Sequence, residues 1–312
     1  MSDLEQLIQA SRLYYELGET QSRVAELLGV TRPQVSRLLK RARAEGVVEI
    51  RIVDQAAAES PAGEELRRRF GLAAVHLAPP LVGPEEVSRR MIGRLAADVL
   101  RGAIRDGAVV GIGEGASISA VADSIAAEEP LHETGATVVP LCGAYWFGGP
   151  AREPFRRVAD GIGGVPLGLL APGLVDDPAT KTALCAHAGV RRIVDLWDRL
   201  EVAAFGIGGP VWSAAALGPD VTADLERSSA VGEVLVSPFD LDGQFVCEAL
   251  RERTIAFDAR ELERVPVRIG VAGGPSKVPP ILGALRGGML TVLVTDQPTA
   301  EAVLALADGS AA

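Results

Sequence analysis

Gln21-Ser-Arg-Val-Ala-Glu-Leu-Leu-Gly-Val-Thr-Arg-Pro-Gln-Val-Ser-Arg-Leu-Leu-Lys40 reads as two helices joined by a sharp turn. Small Ala25 allows the helices to approach, Gly29 can take the positive φ that ends the first, and Val35 anchors the second against it. Val24, Leu27, Leu28, Val30, Leu38 and Leu39 complete an apolar face at helical spacing. Thr31 followed three residues later by Gln34 is a capping box, and Pro33 suits a first turn, so the second helix is expected to begin at Arg32.

The outward side of that second helix carries Arg32, Gln34, Ser36, Arg37, Lys40 and Arg41, and no acidic residue lies between Glu26 and Glu45. Such a face can meet phosphates and base edges, Arg matching guanine and Gln matching adenine. With Gln21 and Thr31 at the two helix starts, these residues form a candidate interface for double-stranded DNA. The plainer alternative is a solvated face on an ordinary helical hairpin.

The chain has 312 residues, which at about 150 per domain suggests two units. It is 48% hydrophobic and 23% charged, the composition of a packed globular protein. No apolar run follows a basic start and none approaches the length of a membrane span, so the expected location is the cytoplasm. A net charge of −10 argues against a nucleic-acid partner only until its distribution is considered. Residues 1–54 hold eight basic and eight acidic side chains, so the whole deficit lies beyond them and the basic helix is a local patch. The three cysteines are far apart and lack metal or redox spacing, as expected of structural thiols. His76, His132 and His187 are likewise scattered, so no metal and no cofactor is expected.

Outward from the opening stretch, Leu4–Leu17 has helical periodicity, and Val48, Ile50 and Ile52 alternate with polar residues as in a strand. Three helices and a strand outline a winged helix-turn-helix over residues 1–54. Residues 55–62 lose periodicity and read as a linker, leaving 63–312 as a second domain. There short apolar runs alternate with helical ones. Strands are expected at Ala74–Ala78, Ala108–Ile112, Ala136–Leu141, Leu167–Ala171, Val202–Ile207, Val234–Val236, Arg268–Ala272 and Leu290–Thr295. This pattern indicates a Rossmann-like, three-layer α/β domain with a largely parallel sheet.

Ligands of such sheets sit beyond the carboxyl ends of the strands. Three Gly-rich turns follow expected strands there: Gly111-Ile-Gly-Glu-Gly-Ala-Ser117, Gly206-Ile-Gly-Gly209 and Val271-Ala-Gly-Gly-Pro-Ser-Lys277. The first leads straight into a helix whose free amides suit an anion, and the third presents Lys277, one of three lysines. The first is neither a Walker loop nor a full dinucleotide fingerprint, and a plain tight turn is the alternative for each.

The chain resembles the SorC family of sugar-responsive bacterial transcription regulators along essentially its whole length. The resemblance is carried by Leu13-Tyr-Tyr15, Val109-Val-Gly-Ile-Gly-Glu-Gly115, Val138-Val-Pro-Leu-Cys-Gly143, Gly206-Ile-Gly-Gly209, Phe239-Asp-Leu-Asp-Gly243 and the run from Gly273 to Asp296. It implies an effector domain similar in fold to sugar-phosphate isomerases and deaminases but without catalysis. It also implies a homotetramer, a dimer of dimers, that binds operator DNA according to a bound sugar phosphate, sugar or polyol. By the same resemblance the effector site comprises Gly113, Glu114, Gly115, Ala116 and Ser117, with Lys277 across the pocket and Cys142 and Asp240 lining it.

Two departures from the family pattern stand out. Glu114 replaces a usual Trp, and Ala116 replaces a frequent hydroxyl residue. A carboxylate beside a phosphate is repulsive, and a lost hydroxyl removes a donor to the same anion. Either Glu114 points away or the effector is an unphosphorylated sugar or polyol; the reading leans to a phosphorylated one. The rival reading, an isomerase or deaminase with a DNA head, needs an acid–base pair. Glu114, Asp240, Asp242 and His132 offer no such pair with suitable spacing.

Overall fold

The computed structural model describes residues 3–48, 60–128, 130, 132–144, 153–209 and 219–309, and the chain falls into two units, Met1–Asp54 and Gln55–Ala312. In the first unit α1 (Asp3–Ser11) runs into a π-helical turn at Arg12–Glu16, followed by α2 (Gln21–Leu28) and α3 (Arg32–Ala44). The single helix expected from Leu4 to Leu17 is therefore interrupted, and at the junction buried Ser11 donates its hydroxyl back to the Leu7 carbonyl at 2.8 Å. Leu7, Ala10, Val24, Ala25, Val35, Leu38, Leu39 and Ala42 close one apolar cluster. Gly29 adopts φ 66°, ending α2 as its sequence position requires. The expected wing strand, beyond Val48, and most of the expected linker lie outside the described residues.

The second unit is built on β1 (Ala74–Ala78), β2 (Val109–Ile112), β3 (Thr137–Pro140), β4 (Val165–Pro166), β5 (Val202–Gly206), the hairpin β6 (Gly232–Val234) and β7 (Ser237–Phe239), β8 (Val267–Val271) and β9 (Val292–Asp296). Seven of these form one parallel sheet in the order β1-β9-β8-β5-β2-β3-β4. The helices are α4 (Pro61–Phe70), α5 (Glu85–Ala103), α6 (Ala116–Ala126), α7 (Pro154–Gly161), α8 (Pro178–Ala186), α9 (Ala188–Trp197), α10 (Pro219–Arg227), α11 (Glu248–Arg253), α12 (Val278–Arg286) and α13 (Gln297–Ala307).

Strand periodicity sends alternate residues to opposite faces, and both faces are covered. Val202 and Ala204 of β5 pack with α5, α6 and α7 residues such as Leu100, Val121 and Val158. Ala203 and Phe205 of the same strand pack on the other side with Leu66, Trp197, Leu282 and Val303. This is the three-layer α/β domain expected from the sequence.

Two expected strands are displaced. The Leu167–Ala171 segment lies past β4, which ends at Pro166. Val234–Val236 straddles a hairpin turn: Leu235 and Val236 take φ 50° and 62° between β6 and β7. A left-handed pair made of Leu and Val carries none of the Gly or Asn signal by which such turns are recognised.

Strand order reverses direction about the β5–β2 pair. From β2 the chain proceeds to β3 and β4 on one side, and from β5 to β8 and β9 on the other. That reversal opens a crevice at the carboxyl ends, where ligands of such sheets bind. The third Gly-rich turn is held from behind. Asp296, buried at the end of β9, accepts from the Thr299 amide at 2.9 Å and hydroxyl at 2.7 Å, and the Thr299 hydroxyl accepts from the Gly274 amide at 2.8 Å. Asp296→Ala should lower the stability of this unit by roughly 1–2 kcal/mol, through loss of the α13 cap and an unpaired hydroxyl. The midpoint of urea unfolding measures it.

Candidate functional site

The exposed face of α3 is set by burial of Val35, Leu38, Leu39 and Ala42 on its other side. Arg32, Ser36 and Lys40 follow one another at one-turn spacing, with Arg37 beside them, and all four are exposed. Three residues of the expected interface are otherwise occupied. Gln34 accepts from the Thr31 amide at 2.7 Å and the Thr31 hydroxyl at 2.8 Å, so both side chains serve the capping box and not a base edge. Arg41 is held by Asp3 of α1 at 2.6 Å and by Glu45 at 2.9 Å, tying α3 to α1. Gln21 is half-buried in the first turn of α2. The free basic face thus reduces to Arg32, Ser36, Arg37 and Lys40. Arg43, exposed in the last turn, is a further cation that the sequence reading did not single out.

In the second unit the three Gly-rich turns stand on β8, β5 and β2, which are adjacent. Gly113 continues β2, donating to the Ala204 carbonyl at 2.8 Å. Gly115 precedes α6 at φ 107°, and no side chain caps this helix. The backbone at Gly115, Ala116 and Ser117 therefore presents a helix N-terminus to an outside acceptor. Gly274 repeats this conformation, φ 100°, ahead of the Pro275–Lys277 turn.

Between them lies the β5 turn, where the hairpin strand β6 pairs with Gly208: the Gly208 amide donates to the Glu233 carbonyl at 2.8 Å and the Glu233 amide donates back at 3.2 Å. A Cβ on Gly208 would collide with the Glu233 carboxylate at 2.1 Å, and one on Gly209 would stand 3.6 Å from the Lys277 ammonium. The glycines of this turn make room for two charged side chains. Glu233 was missed in the sequence because it stands just before a stretch read as an ordinary strand, Val234–Val236.

The charges of the crevice are coupled. Glu114 is half-buried, and burial, with the nearby Glu153 charge adding to it, pushes its pKa up to about 7. Burial raises Glu233 as well, against the Val236 amide it accepts from at 2.8 Å and the nearby Lys277 charge. Burial lowers Lys277, opposed by Glu233 and Glu85. Buried Cys142 is pushed well up by burial and by Glu114 and Glu233, so its thiol stays protonated and is no nucleophile. The charges of Glu114 and Glu233 both act on the Cys142 thiol, and that of Glu233 acts on Lys277. Asp240 turns one carboxylate oxygen to its own loop. Its carboxylate accepts from the amides of Asp242 at 3.0 Å and Gln244 at 2.8 Å, closing a local loop. His132 pairs with Asp106 at 3.1 Å, and Asp242 pairs with Arg286 at 3.3 Å. An open groove beside α9, lined by Arg191, Arg192, Asp195 and Arg199, lies on an exposed helix face and shares no residue with this crevice.

A DNA-reading head and a switch-point crevice define a ligand-controlled DNA-binding regulator. Residues 54–305 match the family described as "Putative sugar-binding domain", and residues 2–49 match that described as "Homeodomain-like domain". The sorbitol operon regulator of Klebsiella pneumoniae is 28% identical, covering 97% of this chain and 98% of its own, and the deoxyribonucleoside regulator of Bacillus subtilis is 28% identical over 95% and 96%. The crystal structure of full-length SorC from K. pneumoniae superposes with a TM-score of 0.79 at 26% identity, covering 97% of this chain and 99% of that one. The chain belongs to the SorC family of transcriptional regulators with a helix-turn-helix and a sugar-binding domain. These relatives are regulators and not enzymes, and the reading as an isomerase or deaminase finds no support.

Glu114 has a consequence for stability. Its carboxyl is more basic in the folded chain than in the unfolded one, so the fold takes up a proton there and loses stability as pH rises from the ordinary carboxylate range through about 7. Glu114→Gln should flatten this part of the pH profile and be the more stable form above neutral pH, as read by urea midpoints across that range.

Proposed function

We propose that the chain controls transcription by binding operator DNA through Arg32, Ser36, Arg37 and Lys40 and by changing that affinity when a sugar-type effector enters the crevice above β2, β5 and β8. The observation that carries this reading is the meeting of three Gly-rich turns at the reversal of strand order, in a chain that belongs to a sugar-binding regulator family. The relatives' names, a sorbitol operon regulator and a deoxyribonucleoside regulator, agree with polyhydroxylated effectors.

The regulator works in the cytoplasm as a homotetramer, a dimer of dimers. Paired heads then read half-sites about one helical turn, or a multiple, apart. The effector acts by population shift: it binds one arrangement of the effector domains more tightly, and the spacing of the paired heads follows.

In a gel-shift titration with its own promoter region, Arg37→Ala should weaken operator binding by about 1–3 kcal/mol and relax discrimination among sequences. Lys40→Ala should weaken all sequences alike and reduce the salt slope by about one. Identical behaviour of the two variants would overturn this division of labour, and absence of any sequence-selective binding would overturn the reading itself. Ser117→Ala and Lys277→Ala should keep operator affinity while blunting the effector response; loss of DNA binding in both would instead make these residues structural.

A further inference from the structure

We propose that the crevice selects an uncharged polyhydroxyl effector, a polyol or an unphosphorylated sugar, over its phosphate ester, because half-buried Glu114 leads directly into the Gly115–Ser117 cradle, Glu233 lies against the adjacent Gly208 turn, and Lys277 is already faced by carboxylates. This rests on the effector reading above and narrows it to a ligand class.

The sequence left open whether Glu114 points away. In the structure it is half-buried, and its charge reaches both Glu153 and the Cys142 thiol, which lies past the end of the neighbouring strand β3. A phosphate on the first-turn amides of α6 would therefore sit beside Glu114, the residue that leads into the cradle. Lys277 does not offset this freely, since Glu233 and Glu85 both stabilise its charged form. The carboxyl of Glu85 also lies within 3.4 Å of the position a Cβ on Gly274 would occupy.

Charge counting decides between the two ligand classes. The open N-terminus of α6 offers about half a positive charge, and Lys277 offers one. Against them stand Glu114 and Glu233, with Glu85 behind Lys277; Arg89, whose charge also reaches Lys277, is already paired with Glu86 at 2.6 Å, and Glu153 with Arg156 at 2.7 Å. With Glu114 ionised the surroundings are negative, so a phosphate dianion enters against repulsion. Ala116 withholds the hydroxyl that would have served such an anion.

The same groups suit hydroxyls. A carboxylate accepts from several O–H groups, while the α6 amides, the Ser117 hydroxyl and the Lys277 ammonium donate to hydroxyl oxygens. A hydroxyl both donates and accepts, so a polyol can satisfy the two kinds of partner in one crevice. Glu114, titrating near neutrality, serves a polyol in either state, as acceptor when ionised and as donor when protonated.

Calorimetry and thermal shift on the intact chain test this, with sorbitol and ribose each compared with its own phosphate monoester and with a wider panel of free polyols and sugars. At least one uncharged member should bind at least tenfold more tightly than its ester and should change operator affinity in a gel shift. Glu114→Gln, which keeps shape and removes charge, should raise affinity for the ester several-fold while leaving the unfolding midpoint at acidic pH unchanged; Glu233→Gln provides a second, independent probe. Ester binding as tight as or tighter than that of the parent compound would overturn the proposal while leaving the effector reading intact. No binding by either class, with operator binding unaffected by all of them, would overturn both.

Discussion

The pairing of β2 with β5 is the constraint on which the sensing unit depends. Val110 lies beside Val202, Gly111 beside Ala203 and Ile112 beside Ala204, in parallel register. Because the chain winds outward from this pair in both directions, the connections leaving the two strands diverge to opposite faces of the sheet. Nothing else is needed to open a crevice. The helices buried on either face, through Phe205 on one side and Ala204 on the other, then fix its walls. A ligand there would touch turns from both halves of the sheet, which is how, on the proposed function, it would favour one arrangement of the domain over another.

Placing charge in that crevice has a cost that the surrounding structure offsets only in part. Burial opposes the charged forms of Glu114, Glu233 and Lys277 alike. Glu233 is compensated by the Val236 amide and by Lys277, and the hairpin that presents it passes through left-handed Leu235 and Val236, an unfavourable conformation for a β-branched residue. Strain of this kind persists where neighbouring contacts over-determine it. Here the β6–Gly208 hydrogen bonds and the Glu233 carboxylate hold the turn from two sides. Among the described residues Glu114 has no comparable partner, and its protonation state is the one most open to a ligand.

Much of this was legible in the sequence because the strongest local signals are backbone signals. Apolar runs of strand length separated by helical periodicity gave the parallel α/β layers, and Gly-rich turns after β2, β5 and β8 marked the carboxyl ends. Strand order was not legible: it depends on which helix packs on which face, and adjacency of three turns distant in the chain is a tertiary fact. Glu233 escaped for the same reason. Its environment is made by Gly208, Val236 and Lys277, and no spacing within the chain relates them. Asp240 closes its own loop through one carboxylate oxygen, a contact that an aspartate near the end of a strand does not announce in sequence.

The DNA-reading helix shows the complementary limit. Its outward face was identified from spacing, and spacing correctly separates Val35 and Leu38 from Arg32 and Arg37. Spacing does not say which polar side chains the fold has already engaged. The capping signal that located the start of α3 is also the reason Gln34 is occupied: the amide oxygen that satisfies the Thr31 backbone cannot at the same time pair with adenine. Arg41 is likewise engaged by Asp3, an exposed contact that adds to the apolar packing of α1 on α3. Releasing either residue to DNA would loosen the element that positions it. The exposed side chains of this face that hold no structural duty among the described residues are Arg32, Ser36, Arg37 and Lys40, the set to which the proposed function gives recognition.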